Sequence, residues 1–252
     1  MLSVAIITHN EEENIGGALE SVKWADEIVV VDSFSDDRTR EICKKYTDKV
    51  FTAEWQGFAN QKNKAVSLAT QPWALVLDAD ERVTEDLKSE ILRTVNNPSS
   101  KDGYYLARKN YFAGRWIRHG GWWPDYTLRL FRRGKGSFQQ REVHESIKVN
   151  GKTGRLKNPL EHFTYKDTED YLRRMGVYST LAAKELYKEG RRACIFDIAL
   201  RPAVTFLRML FLQAGFLDGA YGLKLAYLYS RYTFNKYAKL RRMGRGDNLL
   251  QP

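Results

Sequence analysis

The run Glu27-Ile-Val-Val-Val-Asp32 narrows the possible folds of this chain more than any other feature. Four consecutive β-branched residues leave no alternating wet face, so the segment reads as a strand buried on both sides. Such strands belong to the middle of a parallel sheet with helices on its two faces. Trp73–Leu77 reads the same way, Ser3–Thr8 is a shorter β-branched run, and Lys49–Ala53 is a third strand in chain order. Helical stretches fall between and after them, at about Asn14 to Trp24, Asp37–Tyr46, Asn60–Ala69 and Thr84–Val95. Asp36 or Asp37 can cap the second, and Thr84 caps the fourth with Asp86 in its first turn. Strands alternating with helices in this order mean βαβ units and an α/β fold with a mostly parallel sheet.

From Gly103 the texture changes. Tyr104–Tyr111, Thr127–Arg132 and Val143–Val149 read as strands separated by Gly- and Trp-rich loops, and from Asp167 to about Arg242 the pattern is helical. The expected organisation is a catalytic domain over residues 1–165, divided into a donor-binding half (1–100) and an acceptor-binding half (101–165), then a helical extension over 166–252. Residues 1–165 carry 25 Lys/Arg against 23 Asp/Glu, whereas 166–246 carry 16 against 7. The net charge of +10 therefore belongs to the last third, where a basic, aromatic-rich segment suits an anionic membrane surface or nucleic acid. Met1–Ile7 has no basic residue and its apolar run stops at Thr8, so it does not read as a secretory signal and the expected setting is cytosolic. Cys43 and Cys194 make no metal-ligand pattern and read as packed thiols.

Three polar clusters follow the apolar runs: Thr8-His9-Asn10-Glu11, Asp32-Ser33 and Asp78-Ala79-Asp80. In an open parallel sheet, ligands bind at the carboxyl ends of the strands. Asp32 can accept hydrogen bonds from a ribose or a base imide. Asp78 and Asp80 can approach one hard divalent ion, Mg²⁺ or Mn²⁺, which would neutralise a diphosphate leaving group. An isolated Asp-x-Asp is a weak signal, and its place directly after Ala74-Leu75-Val76-Leu77 is what gives it weight.

Thr8-His9-Asn10-Glu11-Glu12-Glu13-Asn14-Ile15 and Val31-Asp32-Ser33-Phe34-Ser35-Asp36-Asp37-Arg38-Thr39 resemble the opening nucleotide-binding motifs of family 2 glycosyltransferases, which have the GT-A fold. Leu77-Asp78-Ala79-Asp80-Glu81 resembles their metal-binding motif, and Gly57–Ala65 resembles the helix before it. The resemblance implies that Thr8, Asn10, Glu11, Asp32 and Asp78 hold the donor nucleotide and that Asp78 and Asp80 hold the metal. Lys62 or Asn63 can face the donor phosphates, the alternative for Lys62 being a solvent-exposed helix residue.

The resemblance also implies an inverting single displacement, which needs a carboxylate to take the acceptor proton. Asp125, in Trp122-Trp123-Pro124-Asp125-Tyr126-Thr127-Leu128-Arg129-Leu130-Phe131, and Glu145, in Val143-His144-Glu145, are the two candidates. Asp125 is favoured because it precedes an Arg-Leu-Phe strand, although Pro-Asp stands where the family commonly has Glu-Asp. His144 is either a third metal ligand or a core histidine, while His119 and His162 have no pattern around them. Trp116, Trp122 and Trp123 are either a sugar-stacking cluster or core plugs.

Ala203–Leu212 and Tyr221–Tyr229 are too short and too interrupted by charge to span a bilayer. They read as interfacial amphipathic helices, with Lys236, Lys239, Arg241, Arg242 and Arg245 toward anionic head groups. The alternative is an ordinary packed helical subdomain. Arg201-Pro202, Phe206-Leu207, Gly215–Gly219 and Lys236-Tyr237-Ala238-Lys239 resemble the tail of bacterial lipopolysaccharide core glucosyltransferases. That resemblance implies UDP-glucose as donor, a heptose of the lipid-linked inner core as acceptor, and a peripheral place on the cytoplasmic face of the inner membrane. Another envelope polymer or a polyprenyl phosphate is the rival acceptor. A nucleic-acid-binding protein would leave the acidic clusters unexplained and lacks a recognition helix or strand platform. A nucleotidyltransferase would show a Gly/Arg/Lys-rich phosphate loop where this chain has Asn10-Glu11-Glu12-Glu13.

Overall fold

The computed structural model describes residues 1–139 and 146–246. They form two compact units, Met1–Lys109 with Asp125–Phe163, and Asn110–Pro124 with Thr164–Pro252. The segment 110–124, expected in the acceptor half of the catalytic domain, thus packs with the C-terminal helices.

The first unit runs β1 (Leu2–Thr8), α1 (Ile15–Val22), β2 (Glu27–Asp32), α2 (Thr39–Cys43), β3 (Val50–Thr52), α3 (Phe58–Leu68), β4 (Trp73–Asp78), β5 (Glu81–Val83) and α4 (Glu85–Asn96). It continues with β6 (Gly103–Phe112), whose last three residues belong to the second unit. β7 (Arg115–Trp116) lies in the second unit, and β8 (Asp125–Arg132), β9 (Gly136–Gln139), β10 (Ser146–Val149), β11 (Thr153–Arg155) and β12 (Leu160–Tyr165) follow. The strand order is β3-β2-β1-β4-β8-β6-β12-β5, parallel from β3 to β4 and antiparallel where β8 joins β4 and β6.

Alternate residues of the central strands enter two different cores. Leu2, Val4 and Ile6 of β1 and Trp73, Leu75 and Leu77 of β4 pack with Ile15, Leu19 and Val22 of α1 and Leu87 and Ile91 of α4. Ala5, Ile7, Ala74 and Val76 point the other way, onto Ala59, Ala65 and Val66 of α3 and Phe138 of β9. This is why those strands carry no polar face: each side is covered, and each fully buried Leu, Ile or Val contributes about 1.5–3 kcal/mol. α4 begins where expected, with the Thr84 hydroxyl accepting from Leu87 N–H at 3.2 Å and Glu85 and Asp86 in the first turn.

Several elements differ from expectation. α2 covers only Thr39–Cys43 because Asp37 turns its carboxylate to the Thr39 and Glu12 N–H groups, at 2.9 and 3.1 Å, instead of opening a longer helix. β5, β11 and β12 have no apolar run to announce them. β5 and β11 are three residues long, and β5 forms against β12 in register Leu160↔Val83 and His162↔Glu81. Residues 143–145 of the expected strand Val143–Val149 lie outside the described residues.

In the second unit, α5 (Thr168–Lys188), α6 (Ile195–Leu207) and α7 (Ala220–Gly244) surround a core of Phe112, Ile117, Trp122, Tyr165, Tyr171, Met209, Leu225 and Leu228. A π-helical turn at Arg208–Leu212 and a 3₁₀ turn at Gly215–Asp218 join α6 to α7. Gly222 lets α7 start against that turn, since a Cβ there would sit 1.7 Å from the Gly215 carbonyl oxygen. Asp218 accepts from the Arg118 and His119 N–H groups, at 3.1 and 2.8 Å, and its carboxylate faces His119 Nδ1 at 3.3 Å, which ties down the loop after β7. Trp122 is a core plug, whereas Trp116 and Trp123 meet edge to face at 5.5 Å and stay partly exposed.

The helices divide their apolar residues. Met209, Leu210, Leu225 and Leu228 are buried, while Phe196, Leu200, Val204, Phe211, Leu212, Phe216 and Leu217 are each more than half exposed. No helix is long and apolar enough to cross a membrane among the described residues. Lys239 departs from its expected role at head groups, because its ammonium donates to the Gly176 carbonyl and the Ser179 and Thr180 hydroxyls at 2.7–2.8 Å.

Candidate active site

Parallel register places Thr8 opposite Asp32 across β1 and β2, and Ile7 opposite Asp78 across β1 and β4. Thr8, Asp32 and Asp78 therefore stand on the carboxyl edge of three adjacent strands, with Asp32 and Asp78 two strand spacings, about 10 Å, apart. This is the crevice position that an open parallel sheet offers to a ligand.

On the β1–β2 side, Asp32 is fully buried and accepts from the Ser35 N–H at 2.9 Å and from the Ser35 hydroxyl. Asn10 takes a left-handed backbone, φ 53°, which an asparagine tolerates. Its N–H donates to the Ser35 hydroxyl at 2.9 Å and its side-chain oxygen accepts from the Asp36 N–H at 3.0 Å. The Glu11 N–H donates to the Thr39 hydroxyl at 2.8 Å, and its carboxylate accepts from Asn14 Nδ2 at 2.7 Å. Asn10 and Glu11 thus stitch the loop after β1 to the loop after β2. The Thr8 hydroxyl and Arg40 Nε are buried without a hydrogen-bond partner among the described residues. Arg40 Nε lies 4.0 Å from Asp32. Orphaned polar atoms at a strand end, beside a buried carboxylate, are what a polar ligand satisfies.

On the β4 side a chain of buried charges appears. Lys62 of α3 is 4% exposed, not a solvated helix residue, and its Nζ lies 2.8 Å from Asp78 Oδ1. Arg129 of β8 contacts Asp78 Oδ2 and lies 2.6 Å from Glu81 Oε1, and Glu81 Oε2 accepts the Asp78 N–H at 2.9 Å. Burial alone would raise the Asp78 carboxyl, but the Arg129 and Lys62 cations outweigh it and hold it far below the usual carboxylate range. Burial alone would likewise lower Arg129, and the Asp78 and Glu81 carboxylates keep it charged. Arg108 of β6 continues the chain: Nη1 is 3.6 Å from Glu81, and Nε and Nη2 both donate to Asp125 Oδ2, at 3.0 and 2.6 Å. Asn63 is occupied elsewhere, bonding both backbone groups of Phe138 at 2.8–2.9 Å.

Asp80 sits apart from those cations and faces His162 Nε2 across 3.4 Å. The Asp80 carbonyl accepts the Phe163 N–H at 2.9 Å, so β12 carries the histidine to the motif. The Asp80 carboxylate oxygens suit a hard ion such as Mg²⁺ or Mn²⁺, whereas the imidazole nitrogen is not a ligand that Mg²⁺ favours. Both Asp78 oxygens already accept from cations, so Asp80 is the better-fitting ligand of the two. Among the described residues no three His, Cys, Asp or Glu side chains form a ready metal cage. Glu145 and His144 lie outside the described residues.

Arg40, Arg108, Arg129, Glu81 and His162 are the members that sequence reasoning did not assign to the site. For Arg129 a signal existed: an arginine bracketed by Leu128, Leu130 and Phe131 in a central strand must find a buried anion. Arg108 and His162 offered none.

The glycosyl transferase family 2 model matches residues 3–163. The chain is a family 2 glycosyltransferase. It is 30% identical over 267 residues to the lipopolysaccharide core biosynthesis glycosyltransferase LpsC of Rhizobium meliloti, covering 98% of this chain and 97% of that one. An uncharacterized glycosyltransferase of Rickettsia typhi is 29% identical, over 96% of this chain and 87% of its own length. Among solved structures, a mannosyltransferase of Pyrobaculum calidifontis in complex with GDP-Man and Mn²⁺ superposes with a TM-score of 0.55 at 14% identity, covering 95% and 86% of the two chains. TarS of S. aureus superposes with a TM-score of 0.50 at 17% identity, covering 98% and 92%. The sheet of this glycosyltransferase has the GT-A fold, with helices α5–α7 following it.

Proposed function

We propose that this glycosyltransferase moves glucose from UDP-glucose to a heptose of the lipid-linked lipopolysaccharide inner core, with inversion at the anomeric carbon. The alignment of Thr8, Asp32 and Asp78 on adjacent strand ends carries the donor part of this reading, and the near-complete overlap with LpsC supports the acceptor part.

In this reading Asp32 accepts from the nucleoside, with the orphaned Thr8 hydroxyl and Arg40 Nε beside it to complete the polar contact. Asn10 and Glu11 hold the two loops that line that side. Lys62 brings positive charge toward the diphosphate, and Asp78 is kept ionised and immobile between Lys62 and Arg129. Asp80, with His162 beside it and Asp78 behind, would hold Mg²⁺ or Mn²⁺. The metal's contribution when bound is to neutralise charge on the departing diphosphate. Asp125 takes the proton of the acceptor hydroxyl as that oxygen bonds to the anomeric carbon and the bond to the diphosphate breaks. Glu145 is the alternative base.

The exposed row Phe196, Leu200, Val204, Phe211 and Leu212, with Phe216 and Leu217, is assigned to the anionic cytoplasmic leaflet of the inner membrane, where a lipid-linked acceptor lies.

Titration calorimetry with UDP and with UDP-glucose, with and without Mn²⁺, on wild type and Asp80→Ala tests the donor assignment. Metal-dependent binding that vanishes in the variant is expected. Absence of UDP binding under every metal condition would sink the UDP-sugar reading.

A further inference from the structure

Asp125 and the donor aspartate Asp78 are the two ends of a single chain of ion pairs, and Arg108 is the link that reaches the base. In the antiparallel ladder of β6 and β8, Arg108 is the cross-strand partner of Asp125. Two of its nitrogens, Nε and Nη2, donate to the same oxygen of Asp125, at 3.0 and 2.6 Å. The third, Nη1, faces Glu81 at 3.6 Å. A guanidinium is a rigid plane, so fixing Nη1 against an immobile anion fixes the direction of the other two donors. Glu81 is such an anion: it is fully buried, lies 2.6 Å from Arg129, and accepts the Asp78 N–H at 2.9 Å.

We infer that Arg108 is a positioning residue for this reaction, orienting the Asp125 carboxylate through Oδ2 against the fixed anion Glu81. The inference rests on Asp125 being the base, as proposed above. A carboxylate that must receive a proton during a displacement has to be both ionised and aimed, since misplacement by an ångström costs turnover steeply. Asp125 is about one-third exposed and follows Pro124 at the very start of β8, and the two-pronged contact from Arg108 restrains its side chain. Arg108 also ties the base to the donor motif: Asp78, Arg129, Glu81, Arg108 and Asp125 succeed one another without a gap.

A lysine at 108 would keep the charge but lose the two-pronged hold. Met would lose both while leaving Glu81 still paired with Arg129, so the donor site should keep its shape.

The test is a double-mutant cycle on Arg108→Met, Asp125→Asn and the pair, with Arg108→Lys as the second single variant and thermal melts to confirm folding. UDP release from UDP-glucose is followed with heptose-terminated lipopolysaccharide as acceptor and, separately, with water alone. Arg108→Met is expected to lower kcat about 10- to 100-fold with the UDP-glucose KM changed less than about threefold. Arg108→Lys recovers part of that loss. The double variant is no slower than Asp125→Asn alone, because removing the aim of an absent base costs nothing further. Losses that multiply in the double variant overturn the inference, as does an Arg108→Met defect confined to KM. Wild-type turnover in water that the lipopolysaccharide does not stimulate sinks the acceptor reading alone, and the cycle is then completed on the water reaction. Full activity of Asp125→Asn removes the base assignment and the inference with it.

Discussion

Lys62 Nζ lies 2.8 Å from Asp78 Oδ1, with the lysine side chain enclosed between α3 and the sheet. The Asp78 carboxylate is therefore already paired on one oxygen with Lys62 and on the other with Arg129.

Removing one of the two cations leaves a mostly buried carboxylate half-compensated. Lys62→Met is expected to destabilise the protein by about 2 kcal/mol, read from urea unfolding. The same variant should weaken UDP binding about tenfold, since a positive charge near the diphosphate is lost. An unchanged UDP affinity would make Lys62 a strut for Asp78 alone.

A second buried carboxylate gives a pH signature. Glu27 lies at the opposite end of β2 from Asp32; burial alone would raise its pKa, but hydrogen bonds from Lys49, Ser3 and Thr70 outweigh that and lower it to about 2. A depressed carboxyl contributes stability above its unfolded pKa, and that contribution is lost as pH falls from about 4.5 toward 2. The stability gap between wild type and Glu27→Gln, at most about 3 kcal/mol at pH 6, should shrink steadily across that window. A gap that is constant from pH 6 to 2.5 contradicts the assignment.

The tryptophans in the second unit should separate cleanly in denaturation experiments. Trp122 packs against Phe112, Tyr165 and Tyr229, so Trp122→Ala is expected to cost about 3–5 kcal/mol. Its indole N–H has no partner among the described residues, so Trp122→Phe loses volume but no hydrogen bond and should cost about half as much. Trp116→Ala, at a partly exposed position, should stay within about 1 kcal/mol.

Membrane docking is checked by co-sedimentation with vesicles containing phosphatidylglycerol. Phe211 and Leu212 are 57% and 84% exposed, so Phe211→Glu and Leu212→Glu should leave the melting temperature unchanged. Each is expected to lower vesicle affinity at least about tenfold, the equivalent of one apolar side chain not entering the interface. Unaltered sedimentation would move the docking surface elsewhere.

The strand-end placement of Thr8, Asp32 and Asp78 was legible in the sequence. The β-branched run ending at Asp32 and the apolar run ending at Asp78 could only be doubly covered strands. Polar clusters directly after such strands had to face one edge. The Thr84 cap was legible for the same local reason. The charge chain was not. Arg108, Arg129, Glu81 and Asp125 are up to 48 residues apart, and they meet because β8 turns antiparallel against β4 and β6. His162 reaches Asp80 only through the short pairing of β12 with β5.

The sequence by itself determined the α/β class, the family and the strand-end positions of Thr8, Asp32 and Asp78, because buried β-branched runs and their polar ends are local patterns. Tertiary structure alone decided that Lys62 is buried, that Lys239 braces α5, that Trp122 is core and that Asp125 is gripped by Arg108. Those outcomes depend on the register of antiparallel strands and on which helix face is covered, and neither is written in the spacing of residues along the chain.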